Sequence, residues 1–306
     1  MIDAHIHIFP PYRSARAVRW LKRSIPRVDV DESISETDIL ETLDASGISY
    51  FFNYVYPLRP GESRSLNEFN YRLSKRVNNA VCFGSVHPGN RDRKEIVEEA
   101  ILDFGLMGLK FHPFVQGFDI LDERMDMVYA TMERLNRPIV FHTGFDRFYG
   151  ARMGPDVMDK LLTRYPGLVV VIAHMFYPDI AGAFRLLKKH ENVYLDGTNI
   201  FSDYREPVDG ENVFEGRVVQ DRGAEEYAVY FYHSLKELEA FSHRIMIGSD
   251  YPVAMNDPGR IYDTVRTLNI SAASLENITE RTARNFIKRF KPEFFQGNSV
   301  LQETGG

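Results

Sequence analysis

The sequence predicts a single-domain (β/α)8 TIM barrel with a closing C-terminal helix and extended loops after strands 1 and 7. Short apolar runs alternate with longer amphipathic segments along nearly all of the 306 residues. That alternation is the rhythm of parallel strands joined by crossover helices. Eight such units can be counted. The competing doubly wound sheet would usually bring a Gly-rich phosphate turn after an early strand, and the chain has neither G-x-G-x-x-G nor G-x-x-x-x-G-K-[ST].

Strands are expected over Ile2–Ile8, Ile48–Tyr56, Ala80–His87, Leu106–His112, Pro138–Thr143, Leu168–His174, Asn192–Gly197 and Arg244–Asp250. Helices are expected near 36–46, 64–78, 92–104, 121–136, 155–165, 178–190, 224–242 and 258–268. Ser35-Glu-Thr-Asp38 and Asn90-Arg-Asp-Arg-Lys-Glu95 carry capping chemistry at two of the starts. Ser271–Phe290 reads as the helix that closes the outside of the barrel, so the domain is drawn over 1–292 and 293–306 is left as a tail. Two connections exceed what a barrel needs. Pro10–Ser33 holds Arg13, Arg16, Arg19, Arg23, Arg27 and the single tryptophan, Trp20, while Thr198–Gly223 is polar with Tyr204, Arg205 and Asp209. Both would emerge at the C-terminal face, where barrel active sites are built and long loops often serve as lids.

Composition narrows the function classes. A formal charge of −6 argues against a general nucleic-acid binder, which carries a basic face. One cysteine, Cys82, excludes an internal disulfide framework, and its setting in Ala80-Val-Cys-Phe-Gly84 reads as a packed thiol. No apolar run reaches the ~18 residues of a membrane span, and no basic stretch followed by an apolar one opens the chain as in a signal peptide. The expectation is a cytoplasmic protein whose partner is a small-molecule substrate, with neither nucleic acid nor membrane; a homodimer stays open.

The histidines carry the chemistry. Of nine, six fall at or near the C-terminal ends of expected strands: His5, His7, His87, His112, His142 and His174. His5 and His7 are two apart on strand 1, and alternate residues of a strand share a face, so both imidazoles meet one place fit for a divalent cation. Strand 8 adds the carboxylate of Asp250. So many polar groups converging on one mouth are hard to explain as packing, because buried imidazoles need polar partners. Lys110 and His112 share a face of strand 4 in the same way. After strand 5, Phe145-Asp-Arg-Phe-Tyr-Gly-Ala-Arg152 supplies Arg147 and Arg152, suited to bidentate capture of an anionic substrate group.

His5-x-His7, Gly108-Leu-Lys-Phe-His-Pro113, Phe141-His-Thr-Gly144, Ile172-Ala-His-Met175 and Gly248-Ser-Asp-Tyr-Pro252, in that order, resemble the amidohydrolase superfamily. They are most similar to its amidohydrolase-related branch, which also contains metal-dependent decarboxylases. The resemblance implies that His5, His7, His142 and Asp250 bind a catalytic metal, zinc in the first place with other divalent ions as alternatives. It implies that His174 polarises the substrate or binds a second ion. In some members a carboxylated strand-4 lysine bridges two metals; Lys110 either does so here, with His174, or stays an ammonium beside one ion, the arrangement favoured. His112 then contacts substrate.

The function expected is a metal-dependent hydrolase that uses a metal-activated water to cleave an ester, lactone or amide bond in a small carboxylate-bearing substrate, with Asp250 relaying the proton. Non-oxidative decarboxylation on the same scaffold is the alternative, and a non-catalytic metal-binding protein the third reading. Strand 6 reads Ala-His-Met-Phe where the family commonly places glycine soon after the histidine, so Phe176 is expected near the pocket.

Overall fold

The computed structural model describes residues 1–24, 30–146, 149–201, 204–205, 213–222, 225–253 and 257–296. Its centre is eight parallel strands: β1 (Ile2–Ile6), β2 (Tyr50–Asn53), β3 (Ala80–Cys82), β4 (Leu109–Phe111), β5 (Ile139–His142), β6 (Val170–Ala173), β7 (Val193–Asp196) and β8 (Ile245–Met246). β1–β3 pair in chain order, and β4–β8 pair in chain order. Two seams join these runs into a ring. At the first, the Gly84 N–H donates to the Gly108 carbonyl and the Lys110 N–H to the Gly84 carbonyl, both at 2.8 Å. At the second, the N–H groups of Ala4 and Asp250 donate to the carbonyls of Ile247 and His5 at 2.8 Å, and that of His7 to Tyr251 at 2.9 Å. The expected barrel is therefore present.

Each element follows from its residues. Val170-Val-Ile-Ala173 is buried throughout, as a strand covered on both faces must be. The helix Glu36–Ala45 opens with a reciprocal capping box between Ser35 and Asp38. Helices Ser63–Arg76, Arg93–Glu98, Asp126–Arg134, Pro155–Arg164, Ile180–Lys189 and Arg260–Arg266 occupy six further crossover positions. In the closing helix Thr282–Phe290, Ala283, Phe286, Ile287 and Phe290 form a buried stripe that packs with Phe52, Val81, Val140 and Val171 of the strands. Phe294 and Phe295 pack on the Tyr50 ring, with centroids 5.8 and 5.4 Å away. Among the described residues no helix is long and apolar enough to cross a membrane.

The helix expected over 224–242 is corrected. Glu225–Ser234 is a strand paired antiparallel with Val213–Arg222, and only Leu235–Ala240 is helical. Tyr227, Val229, Tyr230, Phe231 and Tyr232 are β-branched or aromatic, the residue types that favour a pleated surface. The extended segment after β1 contains a helix, Pro11–Ser24. After β5 the chain forms a small antiparallel pair, Gly144–Asp146 with Ala151–Met153.

The β8–β1 seam requires glycine at 248. A Cβ there would lie 2.5 Å from both the Cβ and the backbone nitrogen of His5. Asp3 binds the same seam, its Oδ1 accepting from the N–H groups of His5 and Ser249 at 3.0 Å. Gly248→Ala is expected to destabilise the barrel by about 2 kcal/mol, the scale of overpacking. An unchanged thermal unfolding midpoint would show that the seam tolerates the methyl group.

Candidate metal centre

Charged and polar side chains meet at the C-terminal ends of the strands, and β1 supplies the first two. His5 and His7 are both buried and share one face of the strand. His5 Nδ1 lies 2.6 Å from Oδ2 of Asp196, at the end of β7. His7 Nδ1 donates to the Tyr54 carbonyl at 2.8 Å. A carbonyl oxygen can only accept, so His7 carries a proton on Nδ1, and Nε2 is the nitrogen turned toward the site. The ionised Asp196 imposes the same tautomer on His5. This arrangement of outer partners, each fixing one ring nitrogen so that the other can ligate, is what metal sites use.

Asp250 comes from the segment after β8, at a positive φ of 61°. Its Oδ1 stands 3.1 Å from His7 Nε2 and 3.7 Å from His5 Nε2, and its Oδ2 accepts from the Asn199 amide at 3.0 Å. Donor atoms of His5, His7 and Asp250 thus lie within 4.8 Å of one another. Two neutral imidazoles and one carboxylate around one point suit a divalent cation, and the residues present fit such an ion. Burial pushes the Asp250 carboxyl up, but the His7, His5 and His174 rings around it outweigh that and hold the group below the usual carboxylate range.

His174, also at positive φ, follows β6 and donates from Nδ1 to the Thr198 carbonyl at 3.1 Å. Its ring centroid is 5.3 Å from that of His5 and 4.5 Å from that of His142. His142 is linked to the first trio through His174. Its own close neighbours are His112, stacked on it at 3.7 Å, and Asp146. Lys110 is fully buried, with Nζ 3.3 Å from His5 Nε2 and 4.8 Å from the Tyr54 ring centre. Burial lowers its pKa to about 8, against the pull of Asp196 and Asp250.

The remaining expected site residues fall elsewhere. Arg152 is exposed on the short strand after β5, and Arg147 lies outside the described residues. His87 Nδ1 accepts from the Gly89 N–H at 3.0 Å and anchors its own turn. Phe176 is fully buried in the main apolar core. An arginine does stand beside the site: Arg13 donates to the Tyr56 carbonyl at 2.6 Å and lies over the Phe9 ring, which stacks on His7. Asp196, Asn199 and Asp146 were not singled out from sequence. Asp196 ends its strand as Asp250 follows β8, so the positional rule that found one carboxylate applies to the other.

A parallel β/α barrel with this donor set at its C-terminal mouth defines a class, the metal-binding barrel enzymes. The family model described as amidohydrolase matches residues 2–289, and the chain belongs to that family. A comparison with curated proteins gave no match. Among solved structures, an uncharacterised TIM-barrel protein from Bordetella bronchiseptica is similar at 18% identity, over 94% of this chain and 99% of that one, with a TM-score of 0.67. A 5-carboxyvanillate decarboxylase from Novosphingobium aromaticivorans, solved with manganese and 4-hydroxy-3-methoxy-5-nitrobenzoic acid, is similar at 12% identity over 94% and 95%, TM-score 0.66. A 2,6-dihydroxybenzoate decarboxylase in complex with 2,6-dihydroxybenzoate is similar at 15% identity over 94% and 98%, TM-score 0.59.

Burial lowers the pKa of His5, His112, His142 and His174 below 6.5, and raises Asp3 to about 7 and Asp196 to about 6. Unfolding between pH 7 and 5 therefore takes up protons at four imidazoles and releases them at two carboxyls. The net is uptake, so stability falls as pH drops through 6.5 toward 5. Urea midpoints of chelator-treated protein across that range check it, and a midpoint that rises on acidification contradicts it. Asp196→Asn removes the charge that orients His5 and should weaken metal affinity by about 10–100-fold in equilibrium titrations.

Proposed function

We propose that the protein is a metal-dependent hydrolase that cleaves an ester, lactone or amide bond in a small carboxylate-bearing molecule. His5, His7 and Asp250 hold the ion, with zinc as the first expectation from two imidazoles and a carboxylate. When bound, a divalent ion supplies Lewis acidity toward a substrate oxygen and lowers the pKa of water at its open position.

The single observation that carries hydrolysis is the position of Asp250. Its Oδ1 faces Nε2 of His7 and His5 at 3.1 and 3.7 Å, and its Oδ2 accepts from Asn199, so a fixed carboxylate stands at the ion's place, where it can take a proton and pass it to a leaving group. His174 has its Nδ1–H engaged by Thr198, so the neutral ring offers only an acceptor at Nε2. That suits ion binding or proton acceptance; polarising a carbonyl would need the imidazolium, which burial disfavours. Arg13, which lies over the Phe9 ring that stacks on His7, is the arginine that supports an anionic substrate.

Non-oxidative decarboxylation of an aromatic or enoic acid is the second reading, supported by the likeness to the two decarboxylases. The same Arg13 would then face the carboxylate that departs. Assay of carbon dioxide release against ester, lactone and amide cleavage over a substrate panel separates the readings, and release of carbon dioxide alone overturns hydrolysis. Asp250→Asn is expected to lower kcat at least ~100-fold, the lower scale of acid–base catalysis, while the protein still takes up metal. His5→Ala with His7→Ala should abolish uptake at this site and leave a folded barrel by circular dichroism.

A further inference from the structure

One short segment holds three groups of the mouth that come from three other strands. It is Asp196-Gly-Thr-Asn199, the end of β7 and the turn that follows. Asp196 reaches His5 of β1, its Oδ2 lying 2.6 Å from Nδ1. The Thr198 carbonyl accepts from Nδ1 of His174, after β6, at 3.1 Å. The Asn199 amide donates to Oδ2 of Asp250, after β8, at 3.0 Å. β1 and β6 are not neighbours in the barrel, so strand pairing alone gives these groups no common reference.

The two carboxylates are divided in the same way. In each, one oxygen is tied to the segment and the other faces an imidazole. Oδ1 of Asp196 accepts from the Thr198 N–H at 2.9 Å and from its hydroxyl, which leaves Oδ2 for His5. Oδ2 of Asp250 accepts from Asn199, which leaves Oδ1 toward Nε2 of His7 and His5. A carboxylate can bind a cation through one oxygen or both, and tying one of them fixes the choice. The segment itself is firmly seated. The Gly197 N–H donates to the Met246 carbonyl of β8 at 2.8 Å, the Ile200 N–H closes the turn onto the Gly197 carbonyl at 3.0 Å, and Ile200 and Phe201 are buried in the apolar core. A Cβ on residue 197 would lie 2.5 Å from the Phe201 ring, so glycine is required there. Asn199 has a φ of 63°, a left-handed conformation that side chains other than those of asparagine and aspartate rarely adopt. A residue held there beside a site is a candidate for function rather than packing.

We propose that Asn199 is a positioning residue for Asp250, and that Asp196, Thr198 and Asn199 act as one brace that sets His5, His174 and Asp250 relative to one another. Asn199 makes Asp250 present a single oxygen to the ion's place. Thr198 does the same for Asp196 toward His5, while its carbonyl holds the ring of His174. The brace acts through those three groups, and its loss is felt as a change in how they meet an ion. The inference rests on the reading of His5, His7 and Asp250 as the ion's ligands and deepens it.

The test uses Co²⁺ as the probe on the full-length chain. Chelator-treated protein is titrated with Co²⁺, its visible absorption and dissociation constant are measured, and the thermal midpoint is recorded alongside. Asn199→Gly keeps the left-handed backbone and removes the amide. It should still bind Co²⁺, about 10-fold or more weakly than wild type, and its visible bands should change in position and intensity because Oδ2 of Asp250 is released. Thr198→Val keeps the carbonyl that serves His174 and removes the hydroxyl, and it should weaken binding in the same sense by a smaller factor. A lowered thermal midpoint in Asn199→Gly, with bands and affinity unchanged, leaves the segment a structural part only and overturns the proposal. Asp250→Asn is the control for the site itself. Bands that change in Asp250→Asn but not in Asn199→Gly remove the brace and leave the proposed function standing. Bands that Asp250→Asn does not alter take Asp250 away from the ion, and the brace falls with that reading.

Discussion

The contact between β8 and β1 is the constraint on which the mouth depends. Three backbone hydrogen bonds and the bare Cα of Gly248 bring the last strand against the first at the level of His5. That approach sets the Asp250 carboxylate 3.1 Å from His7 although the two residues lie at opposite ends of the barrel sequence. Asp3 reinforces the join by accepting from both sides of it. Without this seam, His5 and His7 would still share a face but would not have Asp250 between them.

Three buried carboxylates in this region differ in charge because their neighbours differ. Asp250 sits among imidazoles and an amide donor, which outweigh its burial. Asp196 has His5 and Thr198 as partners, and burial still raises it to about 6. Asp3 has only backbone and Ser249 donors, leaves Oδ2 without a partner, and reaches about 7. Desolvation is common to all three, so the number and charge of the partners set how each carboxyl departs from the usual range. The tautomers of His5, His7 and His174 are likewise set from outside the mouth, by Asp196, Tyr54 and Thr198.

Much of this was legible in the chain. Strand runs such as Val169-Val-Val-Ile172 and the alternate spacing of His5 and His7 are local patterns, and the eight-unit barrel follows from local patterns repeated. The closeness of Asp250 to His7 followed from position, since strand ends in a barrel converge. Glu225–Ser234 misled because its charged start and length suited a crossover helix, while its tyrosines and valine favoured a strand. The contact of His142 with His112 follows from the pairing of β4 with β5, where Phe111 lies opposite Phe141. The approach of Asp146 was hidden, because it depends on the Gly144–Asp146 strand, a three-dimensional fact that no spacing encodes.

Lys110 has one more consequence. Its nitrogen is 3.3 Å from the Nε2 through which His5 would ligate, so an arriving cation meets a resident positive charge of the chain itself. Capture is an exchange in which the ammonium must swing aside or surrender its proton. The barrel thus carries its own competitor, which blunts its grip on ions relative to a bare cage of the same imidazoles and carboxylates.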